Sequence, residues 1–396
     1  MWKIKPPLEY AKEVRYRPIL ESLVPLDPIT RLKLNRGAPK DEFPDLNQNK
    51  TTMARVLTLD MYKWQYDRAT ESGVIFDDVI RPGLEDPGQS SGPLSVGCVA
   101  GDAQSYILFC HFFDKIIEAY HGYKMTGQES DFNIDNLKGG DDFEAEYAVG
   151  CEIRANRCVE GFSFPTHCCR GERRRLHTLA KKAFGQMAEE LPGKLYSLGD
   201  LEQGMLGDGF AMETATDLRM KTGVARDWPE SRAAWLNEEG NVVVWINIED
   251  HLQLITVRTD PNIKEAFNCI GAHLQKLEAL YRKLRHSFVW KQQLGWVVSS
   301  PAEVGTGLRA SVHLKLMHLP LHKWLGSILE RLRLLMEPTG TAGSSRVFKV
   351  SNAHTIGFTE VELVQMLVDG VKLLIRMEKA LEDPEGSIHH LVPAQK

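Results

Sequence analysis

The chain has 396 residues, of which 43% are hydrophobic and 26% are charged, and its formal net charge is −5. This is the composition of an ordinary globular protein, long enough for one large domain and one smaller domain. Because positive charge is not in excess, the composition predicts neither nucleic-acid binding nor attraction to a membrane surface. No apolar run approaches the roughly 18 residues that a membrane-spanning helix needs.

The N-terminus and the cysteines indicate where the protein is expected to work. Residues 1–16 mix Lys, Glu, Arg and Pro without an apolar stretch, which argues against a secretory signal, and Glu9 and Glu13 argue against a mitochondrial presequence. We therefore expect a cytoplasmic protein. The seven cysteines show no Cys-x-x-Cys spacing and the thirteen histidines form no ligand pattern, so we expect reduced thiols and no metal site.

Residues 1–45 are rich in proline and mixed charge, which predicts an extension with little core of its own. The aromatic residues Trp2, Tyr10 and Tyr16 lie among the prolines and would suit an extended peptide lying on a partner protein. A disordered tail explains the same composition equally well. Both interpretations stay open.

The next segment, residues 46–131, is predicted to be a small helical domain. Apolar residues recur at helical spacing from about Thr51, and a second helical pattern covers residues 105–121. Between the two patterns, glycines and prolines cluster over residues 73–88 and predict a loop-rich connection.

The remainder, residues 132–396, mixes strand and helix patterns. Residues 241–247 and 295–300 are short apolar runs that predict buried strands. Helices are predicted over three longer amphipathic segments: residues 263–286, 322–336 and 359–381. Small polar residues over 338–345 predict a mobile loop. Strands and helices without strict alternation indicate an α/β or α+β domain.

Several segments carry a resemblance to the phosphagen (guanidino) kinases, and to creatine kinases in particular. They are VGCVAGD at 96–102, LKGGDD at 137–142, RGERR at 170–174, ARDWP at 225–229, EDHL at 249–252, GTGLR at 305–309 and VPAQK at 392–396. The resemblance runs from about residue 40 to the end of the chain. It implies an α+β fold in which a small all-helical N-terminal domain precedes a large domain with an antiparallel β-sheet flanked by α-helices.

In that family the γ-phosphoryl group of Mg-ATP moves reversibly to a guanidino nitrogen, a reaction that depends on positioning and charge neutralisation. The resemblance places Glu249 at the catalytic glutamate position, where it would orient the guanidinium and act as general base. Arg154 and Arg309 match two phosphate-binding arginines. Gly73-Val74-Ile75 resembles the loop that closes over creatine with apolar side chains. Ser300 stands where the family has a cysteine beside the guanidino group.

Five positions depart from the family pattern at the nucleotide site. Phosphate-binding arginines of the family are replaced by Glu152, Gln253 and Glu337. On the adenosine side, Gly209 replaces a histidine and Lys349 replaces an aspartate. The glycine-rich loop that follows residue 337 is also about three residues shorter than the family's.

These departures weaken a polyphosphate site, because three positive charges give way to two negative charges and a neutral amide. At an effective dielectric near 20, a unit charge about 4 Å away is worth roughly 4 kcal/mol. We therefore predict a pseudoenzyme with impaired ATP binding and phosphoryl transfer, retained as a structural or binding component. Two alternatives stay open: an active ATP:guanidino phosphotransferase that uses Mg-ATP/ADP, and a non-catalytic binder of a guanidino compound. In the active alternative, Arg346 or a neighbour would replace a lost arginine.

The resemblance also bears on partners. It implies a homodimer or a larger oligomer, while a protein partner through the N-terminal extension is a hypothesis drawn from composition. Neither nucleic acid nor a membrane is expected to bind. Association with a cytoskeletal assembly is a guess that no residue pattern selects.

Overall fold

The computed structural model describes residues 28–89, 94–124, 126–339, 346–383 and 386–393. The aromatic residues Trp2, Tyr10 and Tyr16 lie outside the described residues, so the proposed role of that segment stays a prediction. Most of the predicted loop, residues 340–345, also lies outside them. Within the described residues no helix is long and apolar enough to cross a membrane.

The described part of the N-terminal extension packs on the small domain. It contains two short helices, α1 (Pro28–Leu34) and α2 (Pro39–Glu42). Between them, the guanidinium of Arg36 lies 3.9 Å from the centre of the Tyr66 ring. The Tyr66 hydroxyl donates a hydrogen bond to the carbonyl oxygen of Gly37 at 2.8 Å. The segment predicted to lack a core of its own is therefore anchored by its neighbour.

The small domain is helical, as predicted. Its helices are α3 (Thr52–Val56), α4 (Leu59–Gln65), α5 (Phe76–Glu85), α6 (Ser105–Leu108) and α7 (Cys110–His121). Thr51 and Thr58 accept backbone N–H groups of Ala54 and Met61 at 3.3 Å, which explains where α3 and α4 begin. The single helix predicted over 105–121 is divided at Phe109 into α6 and α7.

The large domain is built on one antiparallel sheet, which confirms the α+β prediction. Eight strands lie in the order β2-β3-β4-β5-β1-β8-β10-β9, and each hydrogen-bonded pair is antiparallel. The strands are β1 (Ala148–Arg157), β2 (Gly193–Ser197), β3 (Ala233–Asn237), β4 (Val242–Ile246), β5 (Leu252–Arg258), β8 (Leu308–Lys315), β9 (Leu334–Pro338) and β10 (Val347–Asn352). A separate two-stranded sheet is formed by β6 (Trp290–Lys291) and β7 (Gly295–Trp296).

Four helices pack their apolar faces on the core of the large domain: α8 (Arg170–Met187), α10 (Ile263–Lys283), α11 (Leu325–Leu332) and α12 (Glu360–Glu382). The five-residue helix α9 (Asp217–Lys221) has no buried residue and contacts α5 of the small domain. Three short 3₁₀ helices lie at Ile134–Asn136, Gln203–Met205 and Leu319–Leu321. Helix α10 contacts β1 and β5, and α12 contacts β8 and β10. The long helices predicted over 263–286 and 359–381 are thus confirmed, and they form the layer that covers the core face of the central strands.

Two sequence predictions were wrong in detail. The helix predicted over 322–336 ends at Leu332, because Arg333 adopts a left-handed conformation with φ of 57° and the chain then enters β9. The strand predicted over 295–300 is reduced to the two residues of β7. Val297 and Val298 are buried, but they belong to the core cluster of the small domain. They therefore join the two domains and do not extend a sheet.

Candidate active site

The arginines that match phosphate ligands lie side by side on the face of the sheet away from its helices. Along β1, Ile153 is fully buried in the core while Glu152 and Arg154 are half-buried on the opposite face. This alternation is the period of two that a strand imposes. Arg154 lies directly opposite Arg309 in the pairing of β1 with β8. The sheet therefore brings the two retained arginines together, as the resemblance implied.

A carboxylate of the chain, that of Glu303, binds the guanidinium groups of both arginines. Glu303 Oε1 lies 3.3 Å from Arg154 Nη2 and accepts hydrogen bonds from Arg309 Nε and Nη2 at 3.2 and 3.1 Å. The remaining terminal nitrogen of Arg309 donates to the carbonyl oxygen of Asn352 at 2.8 Å. Burial lowers the pKa of Arg309, but the charge of Glu303 raises it and the net shift is upward. Side-chain exposures of 12% for Arg309 and 13% for Glu303 place this pair largely out of water.

Four of the substituted positions lie on the same face, and two of them form a second ion pair. Lys349 Nζ lies 2.8 Å from Glu152 Oε2. Glu337 on β9 stands directly opposite Lys349 on β10, so both side chains project from the same face. On the other side of β1, Gln253 on β5 stands opposite Asn156 and is almost fully buried. Four positions of the predicted nucleotide site therefore share this face.

Gly209, the fifth substituted position, approaches this face from a covering segment. Its φ is 90°, in the left-handed region that favours glycine. A Cβ atom at this position would lie 2.6 Å from Cγ1 of Val257, which is itself opposite Glu152 in the strand pairing. The backbone here therefore accepts glycine and disfavours the family's histidine.

Glu249 lies in the turn between β4 and β5 and is bound by an arginine of the chain. Its Oε1 accepts from Arg219 Nε at 2.8 Å and lies 2.6 Å from Arg219 Nη2. The third nitrogen of that guanidinium, Nη1, donates to the Thr214 carbonyl oxygen at 2.8 Å and lies 2.6 Å from Glu213 Oε2. The side chain of Glu249 is 44% exposed and that of Arg219 is 18% exposed. The predicted catalytic carboxylate is therefore partly exposed to solvent, and it is also hydrogen-bonded to Arg219.

The neighbouring residues brace the backbone of Glu249. Asp250 is buried and accepts the Ser299 backbone N–H at 2.8 Å and the Cys158 thiol at 3.1 Å. Burial raises the pKa of Asp250 to about 6. The Ser299 hydroxyl donates to the carbonyl oxygen of Glu249 at 3.1 Å. Ser300 comes next in the chain, and its hydroxyl accepts the Ala302 backbone N–H at 3.3 Å.

The predicted acceptor loop, Gly73-Val74-Ile75, packs against the small domain. Gly73 has a φ of 85°, and its N–H donates to the carbonyl oxygen of Thr70 at 2.9 Å. Val74 and Ile75 are buried at 0% and 6% exposure, and Val74 belongs to the core cluster of the small domain. In this structure their side chains do not line an open cleft, so contact with an acceptor stays a prediction that needs the loop to rearrange.

The arginines that could replace a lost phosphate ligand lie elsewhere. Arg346 Nη1 is 3.5 Å from Met317 Sδ. Arg157 is buried over the Trp296 ring, with its guanidinium carbon 4.4 Å from the ring centre. Arg331 donates to the carbonyl oxygen of Pro393 at 2.7 Å, and Arg333 lies over the Phe358 ring. Each therefore has a partner of its own, and none is paired with Glu303 or Glu152.

Sequence reasoning missed Glu303 and Arg219, which bind the residues that the family resemblance singled out. Glu303 lies two residues before the matched segment at 305–309, so an acidic residue close to a candidate phosphate arginine was a signal that could have been used. Arg219 lies in a segment without a motif, and no local pattern identifies its partner. Among the described residues, no three His, Cys, Asp or Glu side chains are grouped as metal ligands.

Comparison with known proteins identifies the family. The model for the ATP:guanido phosphotransferase N-terminal domain matches residues 47–118, and that for the C-terminal catalytic domain matches residues 175–381. The chain is 45% identical over 366 residues to creatine kinase B-type from Gallus gallus, covering 90% of this chain and 96% of that protein.

Further relatives agree in sequence and in structure. Creatine kinase M-type from Homo sapiens is 44% identical over 378 residues, which cover 92% of this chain and 98% of that protein. The crystal structure of a lombricine kinase superposes with a TM-score of 0.81 at 33% identity and covers 91% of this chain and 100% of that chain. With both domains matched in order, this chain belongs to the ATP:guanido phosphotransferase family, as a creatine kinase-like phosphagen kinase.

Proposed function

We propose that this chain is a pseudoenzyme of its family, impaired in ATP binding and phosphoryl transfer and retained as a structural or binding component. The observation that carries the proposal is the pairing of its cationic groups with its own carboxylates. Glu303 binds Arg154 and Arg309, and Glu152 binds Lys349. With Glu337 included, these six side chains carry three positive and three negative formal charges. The cradle that would hold a polyphosphate is therefore neutral.

A neutral cradle is a poor fit to Mg-ATP for two reasons. Each arginine would have to leave Glu303 before it could bind a phosphate oxygen, and separating a largely buried ion pair costs about 3–5 kcal/mol. A phosphate that reached the arginines would also face the carboxylate. At an effective dielectric near 20, that repulsion is roughly 4 kcal/mol per unit charge at about 4 Å. Both effects weaken nucleotide binding, and they weaken transition-state stabilisation by the same groups.

Two alternatives have specific support. Glu249, Arg154 and Arg309 are all present, and the two arginines are in register, which favours residual activity as an ATP:guanidino phosphotransferase. In that case Glu303 must rotate away and Arg219 must leave Glu249. The partial exposure of Glu249 favours, independently, a binder of a guanidino compound that transfers no phosphate.

The decisive experiment is a calorimetric titration of the wild-type protein with Mg-ATP, combined with a creatine-dependent ATP-consumption assay. Glu249→Gln is the matched control for background ATP hydrolysis, and an M-type creatine kinase is the positive control. We expect no saturable heat up to about 1 mM Mg-ATP, the upper end of ordinary enzyme affinities, and turnover no higher than that of E249Q. Micromolar binding with turnover above E249Q would sink the pseudoenzyme proposal.

Thermal unfolding with ligands separates the three functions on the same sample. ATP and creatine both stabilise an active enzyme, only creatine stabilises a guanidino binder, and neither stabilises a scaffold. By its likeness to creatine kinases we also propose a homodimer that works in the cytoplasm. A protein partner for the N-terminal extension remains a hypothesis.

A further inference from the structure

The guanidinium of Arg219 lies on the carboxylate that the proposed function assigns to guanidino recognition. Two of its nitrogens are 2.6 and 2.8 Å from Glu249 Oε1. The third is bound by Glu213 and by the carbonyl oxygen of Thr214. All three nitrogens of the group therefore have partners, which is how a well-recognised guanidino ligand is held.

We propose that Arg219 is an internal guanidino ligand of Glu249 and decides whether this site accepts an external guanidino compound. The inference rests on one part of the proposed function, the assignment of Glu249 as the guanidino-binding carboxylate. The family transfers phosphate to guanido groups, and an arginine side chain ends in the same planar cation. In wild-type protein this internal group excludes free acceptors from Glu249.

The chain holds Arg219 close to Glu249 by a short tether. The residue lies in the five-residue helix α9, whose first turn is capped by the Thr216 hydroxyl at 3.3 Å from the Arg219 backbone N. Lys221 of the same helix forms a 3.3 Å ion pair with Glu85 of α5 in the small domain. Because a tethered group has an effective concentration in the millimolar range or above, a free guanidino compound at similar concentration competes poorly.

Two carboxylates hold the tethered group from opposite sides. Burial lowers the pKa of Arg219, but the charges of Glu249 and Glu213 raise it and the net shift is upward. A binding site made from one carboxylate of the reaction centre and one from a neighbouring segment explains why Arg219 does not simply extend into water.

A different role for the pair makes the opposite prediction. If Arg219 only positions Glu249, its removal should weaken any binding of a guanidino compound. If Arg219 occupies the acceptor position, its removal should create or strengthen such binding. The sign of the change in affinity therefore separates occupation from positioning.

The test measures binding of creatine and of methylguanidine, without nucleotide, to the full-length protein by calorimetry and ligand-observed NMR. We expect Arg219→Ala to bind at least about tenfold more tightly than wild type, the factor that corresponds to one lost competing contact. The double variant R219A/E249Q should lose that gain. Lys221→Ala loosens α9 but keeps the Arg219 guanidinium, so its gain in affinity should be smaller than that of R219A.

Arg219→Gln provides a second variant that keeps polarity and removes the guanidinium. The proposal is overturned if folded R219A and R219Q bind no better than wild type, or if K221A gains as much as R219A. It is also overturned if both Arg219 variants fail to fold, since the pair would then be structural. Because Mg-ATP is absent throughout, this result reports on Glu249 and Arg219, whereas binding of Mg-ATP by the wild-type protein tests the pseudoenzyme proposal separately.

Discussion

Replacing Glu303 by glutamine should release the two retained arginines, because a single oxygen of this carboxylate binds both of them. The distances from Glu303 Oε1 to three guanidinium nitrogens are 3.1, 3.2 and 3.3 Å. Glutamine has nearly the same shape and can still accept one hydrogen bond, but it carries no charge. The substitution therefore removes the attraction and the like-charge barrier to phosphate while leaving the packing in place.

The two effects have opposite signs and can be measured separately. Hydrogen bonds to charged groups are worth about 1.5–3 kcal/mol, and Arg154 is one-third exposed, so we expect the free energy of unfolding to fall by about 2 kcal/mol. Removing a negative charge near the phosphates should raise the affinity for Mg-ATP by about one to two orders of magnitude, which is about 1.4–2.8 kcal/mol. The variant should be less stable alone and more responsive to nucleotide.

Urea unfolding at neutral pH, with and without Mg-ATP, measures both quantities. The control is Glu160→Gln, an exposed carboxylate three residues beyond β1, which should match wild type in both conditions. An E303Q protein that unfolds like wild type and gains no stability from Mg-ATP would contradict both expectations. If stability falls but Mg-ATP has no effect, Glu303 stabilises the fold without controlling a phosphate site.

Two further predictions follow from the geometry. Gly209→His restores the family's residue but should destabilise the protein by about 1–3 kcal/mol, because φ is 90° and Val257 blocks the Cβ, and calorimetry should show no gain in Mg-ATP affinity. Burial lowers the pKa of His251 to about 4, so the unfolded state binds more protons between pH 6.5 and 4 and stability falls as pH decreases. Between pH 7 and 5, protonation of His251 in the unfolded state should lower the free energy of unfolding by about 2 kcal/mol. Asp250, with its raised pKa, opposes that loss in part. Urea unfolding of His251→Gln should show a pH dependence weaker by about that amount, and an unchanged pH dependence would contradict the assignment.

The fold could be predicted because its determinants are local or belong to long matched segments. Helix α12 begins with a capping box in which Thr359 and Glu362 satisfy each other's backbone N–H groups, a pattern visible in the sequence. By contrast, the apolar residues around Leu334 fit both a helix and a strand. Only the left-handed turn at Arg333 and the pairing with β10 decide for the strand.

The ion pairs that the candidate site residues form with other side chains of the chain could not be predicted in the same way. Arg154 and Glu303 are 149 residues apart, and Arg219 and Glu249 are 30 apart. Whether such side chains meet depends on how loops cross the sheet, which no local pattern specifies. The family resemblance singled out Glu249, Arg154 and Arg309 as candidates but gave no information on residues to which the family assigns no role. The partners of these candidate residues were therefore the information that required coordinates.

The alternation of β1 has a consequence for how such a protein can change over generations. Ile153 and Ala155 are packed in the core, whereas Glu152 and Arg154 project to the opposite face. A mutation at a core position therefore changes the packing on which folding depends, whereas a mutation in the outer set, on the opposite face, leaves that packing in place. A lineage released from selection for catalysis can accumulate charge reversals on the outer set while its framework persists. For the same reason, the outward-facing residues of β1 could be substituted in the laboratory with little change to the folded core.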